Sequence, residues 1–106
     1  MGETAEAGLE MQPGEDGKVC RLTGVLDFST VPALVREIPG LFARPRELTV
    51  DLGGVTRVDS AGLSLLLEMQ RLAGEGGCSL TLKHAPKSLR NLIHISDLDP
   101  FLTVTD

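Results

Sequence analysis

The sequence predicts a single α/β domain, a mixed and mostly parallel β-sheet with helices packed on it, its elements running β β α β α β α β. Three observations lead to that class. Apolar residues switch along the chain between a two-residue and a three-to-four-residue period, the signatures of strand and helix. Gly- and Pro-rich turn signals fall at the switches. The 106 residues are enough for one hydrophobic core and too few for two. Strands separated by helices run parallel through right-handed crossovers, which leaves few topologies to consider.

Residues 1–8 are small and acidic without periodicity and read as a frayed terminus, so the domain is placed at 9–106. Residues 9–12 alternate, Pro13-Gly14-Glu15-Asp16-Gly17 is a dense turn signal and 18–23 alternate again, which predicts a hairpin. Val31, Leu34, Val35, Ile38, Leu41 and Phe42 then recur at helical spacing. Ser29 or Thr30 supplies the N-cap, and Pro32 sits in the first turn, where its missing N–H costs least. Pro39-Gly40 kinks or ends this helix before a loop at 43–46. Residues 47–52 are apolar and β-branched enough for a central strand, closed by Gly53-Gly54.

Residues 60–73 form the strongest helical pattern in the chain, ended by Gly74-Glu75-Gly76-Gly77 as C-cap and turn. A further strand follows at 78–82. Ala85-Pro86 opens a third helix, with Leu89, Leu92, Ile93 and, as a candidate fourth, Ile95 on its inner stripe. Residues 98–104 add a short terminal strand.

Composition excludes several function classes. A hydrophobic fraction of 42% with 24% charged residues belongs to an ordinary globular chain rather than a disordered one. A net charge of −5 with scattered basic residues argues against nucleic acid, whose phosphates need clustered Lys and Arg. Base stacking is poorly served, because Phe28, Phe42 and Phe101 are the only aromatic residues. There is no apolar run of membrane-spanning length, no secretion signal and no myristoylation pattern, Glu6 standing where Ser or Thr is required. Cys20 and Cys78 lie far apart in apolar segments and read as two buried free thiols in a reducing cytoplasm.

The helix beginning at Ser60 carries more leucine than one core-facing stripe uses. Gly62, Leu65, Leu66, Met69, Leu72 and Ala73 account for packing on the sheet. Leu63 and Leu67, with Ser60, Ser64 and Arg71, form a second stripe. That stripe is either an exposed docking surface or a broad helix flank tucked under a neighbouring element. Asp59 and Ser60 are equally double-valued. Either can be an N-cap, which stabilises a helix by roughly 1 kcal/mol. Ser60 can also be a phosphoacceptor, since a phosphate there would lie at the positive end of the helix dipole.

Val58-Asp59-Ser60-Ala61-Gly62-Leu63, preceded by Leu48-Thr49-Val50-Asp51-Leu52 and by Leu22-Thr23-Gly24-Val25-Leu26-Asp27, resembles the STAS family of sulfate transporters and anti-sigma factor antagonists. The Gly-rich turn at 74–77 followed by a strand extends the match, which covers about residues 18–103. The resemblance implies a mixed sheet with helices on it and no enzymatic activity. In the antagonists, the serine aligning with Ser60 is phosphorylated by a partner kinase that is itself the anti-sigma factor. Asp59 and Asp27 become neighbours of a docking surface, and the candidate partner-binding set is Asp27, Asp59, Ser60, Ala61, Leu63, Ser64 and Leu67.

The run Arg57-Val58-Asp59-Ser60-Ala61-Gly62-Leu63-Ser64-Leu65-Leu66-Leu67, the phrase Phe28-Ser29-Thr30-Val31-Pro32-Ala33-Leu34 and the end of the chain at Asp106 are similar to the cytoplasmic STAS subunit of the Mla phospholipid-transport ABC system of Gram-negative bacteria. Such a subunit binds the transporter's ATPase and sits in the cytoplasm, peripheral to the inner membrane through that complex. Two functions therefore stand side by side. One is an adaptor for an ABC ATPase, and the other is an anti-sigma factor antagonist switched by an anti-sigma kinase at Ser60.

Other chemistries fit poorly. Gly74-Glu75-Gly76-Gly77 lacks the P-loop frame and follows a helix where a P-loop precedes one. His84 and His94 are without Cys or carboxylate ligands in register, so neither metal nor cofactor is expected. A hydrolase built on Ser60 lacks the nucleophile elbow, and neighbouring Asp59 and Ser60 side chains point apart, so no catalytic residue is assigned.

Overall fold

The computed structural model describes residues 7–13, 18–38 and 46–105. Five strands form one sheet in the order β1-β2-β3-β4-β5: Ala7–Pro13, Lys18–Leu26, Glu47–Val58, Ser79–Lys83 and Val104–Thr105. β1 and β2 pair antiparallel, from Ala7 with Gly24 to Pro13 with Lys18. The remaining neighbours are parallel, as crossover helices between them require. Those helices are α1 (Val31–Val35), α2 (Ser60–Glu75) and α3 (Lys87–Ile95), with a short 3-10 turn at Asp99–Phe101.

The strands alternate up to the irregularity in β3 at Gly53-Gly54. Cys20, Leu22, Leu48, Val50, Leu52, Leu80 and Leu82 are buried, while their neighbours Arg21, Thr49, Asp51, Thr81 and Lys83 face the other way and reach solvent. The core therefore lies on one face of the sheet, closed by Leu34, Leu65, Leu66, Met69, Ala73, Leu89 and Ile93 from the helices. Cys20 and Cys78 are buried free thiols; burial, reinforced by Glu37, pushes the Cys20 thiol up to about 12.

Five boundaries differ from the sequence expectation. Strand β1 takes in Ala7 and Gly8, which pair with Gly24 and Thr23 rather than belonging to a frayed end. Strand β3 runs through Gly53-Gly54 to Val58 instead of closing there. Between Arg21–Asp51 and Thr23–Gly54 the register gains one residue on β3, a bulge that glycine accommodates. A Cβ at Gly54 would meet the Thr23 methyl at 2.8 Å. The first helix is Val31–Val35; Pro39-Gly40, Leu41 and Phe42 lie outside the described residues. Ile95 is 77% exposed and not part of α3's inner stripe, because α3 ends there and the chain turns at Ser96 and Asp97. The terminal strand reduces to Val104–Thr105, since Asp99-Pro100-Phe101 turns as a 3-10 segment.

Candidate docking site

Strands β2 and β3 end side by side at Leu26 and Val58, and each delivers the chain into a helix. At the first junction the chain turns through Asp27–Thr30. The Asp27 carboxylate folds back on its own loop: Oδ1 accepts from Ser29 N at 2.9 Å, Ser29 Oγ at 2.6 Å and Thr30 N at 3.2 Å. Arg57 approaches Oδ2 at 3.5 Å. Thr30 Oγ1 accepts from Asp27 N at 3.0 Å and donates to Val25 O at 2.7 Å. The Ser29 hydroxyl, helped by the Ser29 and Thr30 N–H groups and the Arg57 charge and opposed by burial, holds the Asp27 carboxyl below its ordinary value.

At the second junction Asp59 is the N-cap of α2. Its Oδ1 accepts from Ala61 N at 2.8 Å and Gly62 N at 3.2 Å, meeting two of the helix's otherwise unpaired donors. The two junctions are tied together, because Asp59 N donates to Leu26 O at 3.1 Å. Gly62 makes their approach possible. A Cβ there would lie 2.6 Å from Leu26 O, 2.7 Å from Val58 Cγ1 and 2.8 Å from Leu26 Cβ. The glycine of the Asp59-Ser60-Ala61-Gly62-Leu63 run is thus a packing requirement of the helix start on β2.

With Asp59 as the cap, Ser60 is the first helical residue and is exposed. Among the described residues its hydroxyl has no hydrogen-bond partner. Ser64, one turn on and also exposed, donates to Ser60 O at 3.0 Å. At the first junction Phe28 projects at 78% exposure. Sequence reasoning passed over Phe28 and the cation Arg57. The signal available was an aromatic residue, in a chain with three of them, inside a strand-to-helix turn where no core position falls.

The predicted site residues divide accordingly. Asp27, Asp59, Ser60, Ala61 and Ser64 lie at or next to the two junctions, Asp27 and Asp59 as internally bonded braces, Ser60 as an open hydroxyl and Ser64 as an exposed hydroxyl bonded to the Ser60 carbonyl. Leu63 does not belong to the surface: it is 5% exposed and part of the hydrophobic core with Leu34, Ile38 and Leu66. Contact between α1 and α2 widens the buried arc of α2 enough to enclose it, so Leu63 is corrected from docking anchor to core residue. Leu67 is half-buried farther along α2, beside Leu98 and Phe101.

Neither histidine reaches Ser60. His84 Nδ1 lies 3.1 Å from Asp51 on the open sheet face, and His94 Nδ1 lies 3.3 Å from Asp99. Among the described residues no group of three His, Cys, Asp or Glu side chains could hold a metal ion. No helix among them is long and apolar enough to cross a membrane.

The fold is that of a STAS domain. Residues 11–104 match the family model described as Mlab, STAS domain, and the chain belongs to that family. Members are in general regulatory domains without enzymatic activity. Among solved structures the chain is similar to an anti-sigma factor antagonist from Mycobacterium paratuberculosis, with 24% identity and a TM-score of 0.82 over 93% of this chain and 85% of that one. It is also similar to the Bacillus cell fate determinant SpoIIAA in its phosphorylated form, with 19% identity and a TM-score of 0.70 over 93% and 92%. The unphosphorylated SpoIIAA matches at 19% identity and a TM-score of 0.73, over 93% and 89%. No curated protein matches.

Proposed function

We propose that this chain is a non-enzymatic adaptor that binds the ATPase of an Mla-type phospholipid ABC transporter through the start of α2, with Phe28, Ser60, Ala61 and Ser64 as the contact surface. In this reading it works in the cytoplasm, held at the inner membrane by the transporter. The observation that carries the reading is an exposed Phe28 ring at one junction and an exposed Ser60 hydroxyl at the other, the two junctions being tied by the Asp59 N–Leu26 O bond and braced by their internally bonded aspartates. Such a surface is rigid before binding and offers an aromatic anchor, the arrangement that concentrates binding energy. The family model, described by the Mlab name, supports an ABC ATPase as the partner.

A second reading is favoured by one observation, the free and exposed Ser60 hydroxyl at the positive end of a sixteen-residue helix. Several similar structures are anti-sigma factor antagonists, one of them phosphorylated. In that reading an anti-sigma kinase phosphorylates Ser60, and the added charge ejects the partner.

Calorimetric titration of the purified chain against the transporter ATPase and against an anti-sigma kinase from the same genome separates them. The adaptor reading expects a complex with the ATPase that Ser60→Ala leaves within about threefold, the change an exposed polar contact produces. Binding to the kinase alone, with ATP-dependent phosphate on Ser60, would replace it by the switch.

A further inference from the structure

The flank of α2 that encloses Leu63 near the helix start opens farther along. Leu67, Gln70, Arg71, Leu98, Pro100 and Phe101 line a shallow groove of about 480 Å³, within the range of ligand-binding pockets. Its floor is apolar, and Phe101 is 61% exposed at its edge.

The rim is acidic. Among the described residues Arg71 is the only cation in the lining, and it is held by both Glu68 and, at 2.8 Å, Glu75. Asp97 and Asp99 flank Leu98 and are exposed. With His94 Nδ1 3.3 Å from Asp99, four carboxylates against one guanidinium and one imidazole leave a local excess of negative charge around an apolar trough.

We propose that this groove is a second docking site, for a basic amphipathic segment of a protein partner. An apolar side chain of that segment packs on Leu67, Leu98 and Phe101, and Lys or Arg residues face Asp97, Asp99 and Glu75. The acidic rim disfavours an anionic membrane as the occupant. The site does not depend on how Ser60 is used.

The test titrates an isotope-labelled full chain with a synthetic Leu/Lys helical peptide of about four turns, followed by backbone amide shifts. A Leu/Glu peptide of the same apolar spacing serves as the control. The Leu/Lys peptide is expected to shift residues 67–71 and 98–101. Binding should weaken about tenfold in Leu67→Asp, and severalfold in Asp99→Lys or on raising salt, as charge-complementary contacts do. It should be unchanged in Ser60→Asp. Equal shifts from the Leu/Glu peptide, no shifts from the Leu/Lys peptide, or loss of binding in Ser60→Asp overturn the proposal. Concentration-dependent shifts at these residues without peptide overturn it too, making a second copy of the chain the occupant.

Discussion

The two strand-to-helix junctions use the same residue type for different ends. Asp27 and Asp59 each follow a parallel strand and each accept backbone N–H groups from the turn ahead of them. Asp27 is buried, is bonded also to the Ser29 hydroxyl and Arg57, and leaves Phe28 standing out of the turn. Asp59 is half-buried, caps a long helix and leaves the Ser60 hydroxyl out. The aspartates brace the surface, and the residue after each one forms it. A sequence pattern centred on Asp-Ser therefore mixes a structural residue with an exposed one.

The comparison can be broken first at the packing beneath it. Leu63→Ala is expected to lower unfolding free energy by about 3 kcal/mol, the usual cost of emptying a buried leucine site, measurable by urea denaturation. A Leu63 variant that loses partner binding while keeping wild-type stability would restore it to the surface. Gly62→Ala is expected to cost about 2 kcal/mol through overpacking against Leu26 and Val58, although alanine is the better helix former. A stabilised Gly62→Ala variant would show that the two junctions do not press on each other.

The aspartates come next. Asp59→Ala is expected to cost about 1 kcal/mol as a lost cap, with Asp59→Asn retaining most of it. The Asp27 carboxyl is held below its ordinary value of 3.8, so the stability linked to it is present above that value and is lost as pH falls through its lower folded value. Urea midpoints measured from neutral pH down to about 3 should fall more steeply for the wild type than for Asp27→Asn, which lacks this carboxyl's part of the linkage slope. Parallel curves would remove Asp27 from that role. The smallest effect belongs to Arg57, which is mostly exposed: Arg57→Ala should change stability by less than about 0.5 kcal/mol.

Much of the fold was legible because periodicity is a local signal. The alternation of β2 and β4 and the stripe Leu65, Leu66, Met69 and Ala73 lie where the spacing placed them. What spacing does not carry is which neighbour covers a helix flank. Leu63 and Leu67 sit one turn apart on the same side of α2, yet Leu63 is enclosed in the core and Leu67 borders an open groove. Passage of β3 through Gly53-Gly54 depends on its register with β2, a contact between distant residues. At the site, the motif at 58–63 located the helix start, but the assignment of cap to Asp59 and of free hydroxyl to Ser60 required the hydrogen bonds. Phe28 carried no periodic signal at all, since it lies outside the core.

The proposed docking surface is tested most directly by the affinity of Phe28→Ala for the transporter ATPase. Phe28 is 78% exposed, so removing its ring should leave the unfolding midpoint within experimental error. Affinity is predicted to fall at least about tenfold, as for an aromatic anchor at an interface. A complex that forms with wild-type affinity in this variant would contradict docking through the junctions.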